Sequence, residues 1–400
     1  MISKTLSLSK TRLALFWMHL ANEPFVALIT LSGFILKKEL HATTFELSCL
    51  ATLHPACALI SFFLATFCFK KEEKLVPYLM VLWVLGRVLF LFLPIYSSPS
   101  FLIISVLCYQ LFTRSSAPAL IEILRNNIEE SKRLDLFSLV YFFSFLESLL
   151  LGLFVGKILD FHPNSWKILF ASFSLLSLTS LYFQNKIPKK TKKNQVENRS
   201  FNPLKQSLSL LKQDPYFLKF QKGFMFGGFG LMMMNPALIT YYSDTLHLNH
   251  QALTNCRYIW MGLGVCLSTF VWKKLLNKET IFFLSSIVII GFSVFPLLVL
   301  KSSDYPSALF IGFILYGVAQ AGSHLIWHLS GNFFARDDES STLYTATNVL
   351  CVGVRGVIAP FLGGFFTDLV GAPMTLMIGS IVAMGGAFLM LKKTPLLASS

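Results

Sequence analysis

Long apolar runs recur along the whole chain, separated by short and mostly basic polar segments. A hydrocarbon core of about 30 Å is crossed by about 20 helical residues. By that measure spans are predicted near 13–36, 47–69, 75–95, 101–122, 134–157 and 166–184, then 222–243, 254–275, 279–300, 306–330, 343–369 and 373–391. The runs are long and do not alternate with period two, so they predict helices and not the strands of a barrel. The first run follows a basic N-terminus, as in a signal peptide. It continues for a full span without a small-residue cleavage site, so it reads as a retained first helix. The pattern therefore predicts an all-α polytopic membrane protein of twelve transmembrane helices in two six-helix bundles.

The longest polar stretch, Asn185 to Lys222, divides the two sets of six and holds ten of the 34 Lys and Arg residues. It sets the expected organisation: an N-terminal transmembrane half at 1–184, a basic linker at 185–221 and a C-terminal half at 222–400. Within the linker, Pro188 to Ser200 is charged and free of aromatics, a composition that does not order on its own. Asn202-Pro203 reads as an N-cap and first-turn proline. Leu204, Leu208 and Leu211 then share a face at helical spacing, predicting a short amphipathic helix on the inner leaflet. Across the predicted spans, 25 Lys and Arg fall on the side of the termini and central loop and five on the other. The positive-inside rule makes that richer side cytoplasmic, which suits a multi-pass protein of a bacterial inner membrane.

Composition agrees. Hydrophobic residues make up 54% and charged ones 14%, against roughly a quarter charged in soluble domains, and mean hydropathy is +0.63. The net charge of +14 would suggest nucleic acid on a soluble chain. Here the lysines sit between apolar spans, so the charge is topological and no nucleic-acid partner is expected. Seven scattered cysteines without a CxxC pair read as small apolar side chains.

Charged and amide groups at bilayer depth cost a few kcal/mol each, so their positions carry information. Asn22-Glu23-Pro24 lies mid-way in the first span and Asn235-Pro236 in the seventh. Gln110 and Gln320 are 210 positions apart, Glu147 and Arg355 are 208 apart, and Gly156-x-x-x-Asp160 recurs 208 positions on as Gly364-x-x-x-Asp368. This agreement predicts two parallel copies of one six-helix unit. Polar residues mark spans 1, 4, 5, 7, 10 and 11 as lining something wet. Spans 6, 9 and 12 carry no mid-span charge and are expected to face lipid; Arg87 breaks the pattern in span 3.

These residues resemble the major facilitator superfamily of secondary transporters. The resemblance covers essentially the whole chain: six plus six spans, cytoplasmic termini, a basic central loop and the polar census. It implies that helices 1, 4, 7 and 10 line a central cavity, with 2, 5, 8 and 11 flanking it and 3, 6, 9 and 12 outside. The short motifs depart from the family pattern. Phe69-Lys70-Lys71-Glu72-Glu73-Lys74 lacks the glycine and arginines of the usual loop between helices 2 and 3, and Lys273 to Lys278 keeps only the charge. Gly356-x-x-Ala359-Pro360-x-x-Gly363-Gly364 resembles an antiporter motif but lies on helix 11 instead of helix 5, so it reads as close helix packing.

The candidate substrate-binding or coupling residues are Asn22, Glu23, Gln110, Arg114, Glu147, Asn235, Gln320, His324, Trp327 and Arg355. Glu23 and Glu147 are candidates for a coupling proton. Their alternatives are a pair with Arg87 or Arg114 for Glu23, and packing for Glu147. Arg114 and Arg355 cannot lose their charge. Each needs an acid, backbone carbonyls or an anionic ligand, and Arg355 is the leading candidate for substrate contact, with a salt bridge to Glu147 as its rival. Gln320, His324 and Trp327 share a helix face; His324-x-x-x-His328 has metal spacing, but no third ligand completes a site, so a cavity wall is the favoured reading. Arg257, near the outer end of span 8, is expected to snorkel. No phosphate loop or catalytic set is present, so no enzyme activity, cofactor or metal is expected.

The sequence thus predicts a monomeric permease that moves a small solute by alternating access. Protons are a possible coupling ion, and the arginines suit an anionic or zwitterionic solute. Efflux of toxic compounds is the rival within transporters, and a transport-inactive scaffold or membrane-embedded enzyme the rival outside them.

Overall fold

The computed structural model describes residues 2–68, 75–162, 164–188, 203–276, 279–335 and 338–391. The basic stretches at 69–74 and 189–202, together with Arg336, Lys392 and Lys393, lie outside the described residues, as does the His328 side chain. The linker segment predicted to be unstructured and the Asn202 cap fall there too.

The described residues form helices without a strand. They are α1 (Ile2–Leu20), α2 (Glu23–Leu40), α3 (Thr44–Cys68), α4 (Leu75–Leu85), α5 (Pro99–Asn127), α6 (Glu130–Phe161), α7 (Ser165–Leu178) and α8 (Ser180–Gln184). There follow α9 (Pro203–Gln213), α10 (Pro215–Thr240), α11 (His250–Thr254), α12 (Met261–Leu275), α13 (Ile281–Lys301), α14 (Ser307–Phe334), α15 (Asp338–Val370) and α16 (Ala372–Leu391). Among the described residues nine segments are long and apolar enough to cross a bilayer, against the twelve spans predicted. Two further helices, α5 and α6, have 29 and 32 residues but carry Gln110, Arg114 and Glu147 in their length. The predicted eighth span is interrupted by a π-helical turn at Asn255–Trp260.

Two predicted spans are broken by identifiable residues. The first bends at Ala21–Asn22, where α1 ends and Pro24 opens α2; proline lacks the amide that would continue the ladder. The third breaks after α4 at Gly86–Arg87 and resumes as the 3-10 turn Val88–Phe92. There the Arg87 carbonyl accepts a 2.8 Å hydrogen bond from Ser174 Oγ.

The chain divides into two compact units, Met1–Arg199 with Leu248–Asn255, and Ser200–His247 with Cys256–Ser400. Helix pairing inside each unit repeats. In the first, α2 packs on α6 and α7, and both α3 and α4 pack on α5; in the second, α10 packs on α15 and α16, and both α12 and α13 pack on α14. Small residues permit the closest of these approaches: Gly223, Gly227 and Gly230 of α10 meet Gly379, Ala383 and Gly386 of α16, a small-residue seam of the kind that drives helix association in lipid. Large apolar side chains point outward in both units, among them Ile168 at 64% and Phe270 at 81% exposed. Such surfaces are stable in lipid and not in water.

The amphipathic helix α9 differs from expectation in its inward face. Leu208 is 59% exposed, while Ser207 is buried and hydrogen-bonded to Thr347 of α15 at 3.0 Å. Leu210 and Leu211 pack against the aromatic core around Phe217, Phe220 and Phe334. Asp214 then caps α10 through Phe217 N at 2.9 Å and accepts from Tyr344 Oη at 2.7 Å. The face at 207, 210, 211 and 214 is therefore committed to protein, because its hydroxyl and carboxylate find partners there.

Candidate functional site

In the first unit the polar side chains form three groups. Arg87, 1% exposed, is held wholly by neutral partners. Its Nη2 and Nε donate to Asn22 Oδ1 at 2.7 and 3.3 Å, its Nε also to Ser177 Oγ at 2.6 Å, and its Nη1 to the Trp83 carbonyl at 3.0 Å. The guanidinium lies 3.4 Å from the Trp83 ring centroid, a cation–π arrangement that gains strength when desolvated. Asn22 is thus a structural acceptor that ties α2 to α7 through Arg87.

Glu23, one residue on, takes a hydrogen bond from Ser148 Oγ of α6 and another from Ser144. Its pairing with Arg87 or Arg114 does not form. Glu147 lies near enough to Glu23 for their charges to interact, and its Oε2 is buried without a hydrogen-bond partner. The third group joins α3 to α5. Arg114 Nη2 donates to the His54 ring, and His54 Nδ1 meets Gln110 Oε1 at 3.2 Å. One tautomer serves both contacts: Nδ1–H donates to the amide oxygen while Nε2 accepts from the guanidinium. His54 is exposed, and Gln110 and Arg114 are half-buried.

The segment Leu248–Asn255 also belongs to this unit. Asp160, at the end of α6, accepts from His250 N at 2.8 Å through Oδ1 and from Gln251 N at 2.9 Å through Oδ2. It therefore caps α11 from another helix. His250 Nδ1 lies 3.0 Å from the same Oδ1, and Nε2 faces Glu39 Oε1 at 3.5 Å. Lys38 Nζ holds the Leu248 carbonyl at 2.8 Å. Gly156 makes the approach possible, since a Cβ there would lie 2.4 Å from Thr254 Oγ1 and 2.7 Å from Gln251 Cα. The Gly156-x-x-x-Asp160 pattern thus has a physical account: the glycine admits the segment and the aspartate caps it. Burial holds the His250 imidazole below its ordinary range, offset in part by the Asp160 hydrogen bond and the Glu39 charge.

In the second unit Arg355 of α15 is 6% exposed. Its Nη1 donates to the Phe224 carbonyl of α10, and its guanidinium sits 4.5 Å from the Phe224 ring centroid. Trp327 of α14 stacks on that ring at 6.0 Å and 25°. Gly228 leaves the room, since a Cβ there would lie 2.1 Å from Arg355 Cζ. Beside the guanidinium is a cavity of about 50 Å³ lined by Gly228, Ser285, Ser323 and Arg355 among others. On the same helix face as Trp327, Gln320 Nε2 donates to His324 Nε2 at 2.9 Å. His324 and Asn235 are exposed. Deeper, Gln221, Asn348 and Ser330 form a buried chain at 3.1 and 3.2 Å. Arg257, predicted to snorkel, places its charge near the buried Tyr242 and Tyr316.

The structure therefore joins Gln110 to Arg114, Glu23 to Glu147, and Trp327 to Arg355 through Phe224, and keeps Asn22 for Arg87. Sequence reasoning missed His54, although a mid-span histidine beside a proline was visible. It also missed Ser148, Ser174, Ser177 and Ser285, which gave no signal because serine enters lipid at little cost by bonding its own helix backbone. Two of the spans expected only to face lipid supply three of these hydroxyls, from α7 and α13.

The chain is 23% identical over 255 residues to the proton-coupled antiporter flippase LtaA of Staphylococcus aureus (strain USA300). That match covers 62% of this chain and 60% of LtaA, so it spans about three-fifths of the relative's length. Among solved structures, a mutant of the nucleoside transporter NupG superposes with a TM-score of 0.76 at 12% identity, covering 95% of this chain and 99% of that one. A D-xylose-proton symporter does so at 0.59 and 14% identity, covering 98% of each. At these identities the likeness is one of fold. A sequence profile described as Major Facilitator Superfamily matches residues 20–354. Since that match takes in all but the first nineteen and the last 46 positions, the chain belongs to the Major Facilitator Superfamily.

Proposed function

We propose that the chain is a secondary active transporter that moves a small solute by alternating access, in an inner membrane with both ends and the central loop cytoplasmic. One observation carries the reading: groups that lipid excludes are paired yet not buried in each unit, as His54–Gln110–Arg114 in the first and Gln320–His324 in the second. Such groups line a wet surface, because an exposed amide or guanidinium in hydrocarbon costs several kcal/mol. Arg114 carries a permanent charge beside neutral donors and acceptors, which suits an anionic or zwitterionic solute. Arg355, the leading candidate from the sequence, is buried against Phe224, and the substrate contact is assigned to Arg114, Gln110, Gln320 and His324. Glu23 and Glu147 are the proposed proton carriers. Support for coupling comes from LtaA, described as a proton-coupled antiporter, and from the structural likeness to a proton symporter. The LtaA match also favours a second reading, antiport of an amphiphilic solute.

A thermal-shift screen of purified protein against metabolites and amphiphiles identifies the ligand, and proteoliposomes with an imposed pH gradient measure its movement. Arg114→Ala is expected to lower uptake about tenfold or more, from the loss of charge-assisted hydrogen bonds. Glu23→Gln is expected to abolish proton-driven accumulation while leaving solute exchange. A protein that moved no solute, with Arg114→Ala and Gln320→Ala indistinguishable from the parent, would sink the proposal.

A further inference from the structure

We propose that the cavity beside Arg355 is a binding site for one small monovalent anion of halide size. Two polar residues, each more than nine-tenths buried, line it: Arg355, 6% exposed, and Ser285, 2% exposed. Arg355 Nε and Ser285 Oγ have no hydrogen-bond partner. Both other buried hydroxyls of α13 find a partner; Ser286 and Ser293 bond carbonyls of their own helix at 2.7 and 2.8 Å. Ser285 has none, although a helical serine can always turn to such a carbonyl. Ser285 and Arg355 thus bring two unpaired donors to one cavity from two helices, α13 and α15.

The charge balance agrees. Arg355 is positive at every accessible pH, and no carboxylate lines the cavity. Among the described residues the ion pairs are made elsewhere. The Phe224 carbonyl and ring accept part of the charge on one side, but a buried cation without an anion is costly. Arg87 differs instructively: its donors reach Asn22, Ser177 and the Trp83 carbonyl, and it leaves no unpaired nitrogen. Size then selects the occupant. A cavity of about 50 Å³ has room for a halide or a few waters. Apart from Ser323 its other walls, among them Val288, Ile289, Phe292 and Ile326, are apolar, which favours a weakly hydrated monatomic anion over an oxyanion needing several donors.

The test is thermal unfolding of the purified full chain in detergent at fixed ionic strength, with chloride replacing gluconate, which is too large to enter. The parent is expected to gain a saturable rise in Tm with chloride and again with bromide. Ser285→Val removes the hydroxyl and fills part of the space, and should weaken half-saturation at least fivefold while keeping the Tm in gluconate. Arg355→Gln should abolish the saturable rise; if that variant does not fold, Ser285→Val decides alone. Equal Tm values in chloride and gluconate for the parent would overturn the site, as would an undiminished chloride effect in Ser285→Val. The first outcome assigns the space to water and the second places any anion on the surface. Neither depends on finding the transported solute.

Discussion

Replacing Asp160 by alanine isolates the contact that holds Leu248–Asn255. The carboxylate accepts three hydrogen bonds, from His250 N, Gln251 N and His250 Nδ1, at 2.8, 2.9 and 3.0 Å. Hydrogen bonds to a charged group contribute about 1.5–3 kcal/mol each when desolvated. Asp160 retains 21% side-chain exposure, so water replaces part of what is lost. Lys38 on the Leu248 carbonyl and the Asn249 cap on Ala252 N survive the change. The net penalty is therefore about 2–4 kcal/mol for the segment, which corresponds to about 30- to 1000-fold more frequent local opening. Amide hydrogen exchange of a peptide covering 248–255, followed by mass spectrometry on protein in detergent, reads that directly. Asp160→Asn keeps one carbonyl acceptor but turns an amide donor toward a backbone N–H, so it should fall between the parent and alanine. Exchange in Asp160→Ala within about threefold of the parent would refute the reasoning, since it would mean that packing of Gly156 and Phe34 holds the segment without the cap.

Two further outcomes are expected. Arg87→Gln takes the donor from the Trp83 carbonyl, leaves Asn22 Oδ1 with Ser177 Oγ at 2.9 Å as its donor and removes the cation from the Trp83 ring, and should cost about 2–4 kcal/mol, read as a fall in Tm with Arg87→Lys intermediate. The pH dependence of segment 248–255 follows from His250, whose pKa when docked is held below the free value of 6.5. The docked state then favours the neutral ring, so its stability is complete above about pH 6.5 and is lost as pH falls below it. Exchange of 248–255, corrected for intrinsic rates, should rise from pH 7.5 to 5.5, and His250→Gln should flatten the dependence.

Much of the fold was written in the amino-acid order, because the bilayer imposes a length on each apolar run and a sign on each polar gap. The helical class and the family both follow from that constraint. Pairing was less legible. Glu23 and Arg87 looked like natural partners, both mid-span and opposite in charge, yet Arg87 takes Asn22 and two groups from the α4 and α7 helices. Electrostatic attraction acts over several ångströms, whereas a buried guanidinium needs several acceptors in one plane, and an amide, a hydroxyl and a carbonyl supplied them. The breaks at Asn22 and Gly86 show the same limit, since proline and glycine announce a possible break and packing settles whether the chain uses it.

The chain's own order of residues established that apolar runs are long enough to cross a membrane and that polar residues within them are few enough to be informative. Those properties are local or additive, and each residue contributes whatever its neighbours in space. The folded structure established that Arg355 is enclosed and Arg114 is not, that Ser285 has no partner, and that Asp160 caps a helix 90 positions away. Burial and hydrogen-bond geometry depend on which helix faces meet. A serine or glycine carries no trace of that until the neighbouring helix is in place against it.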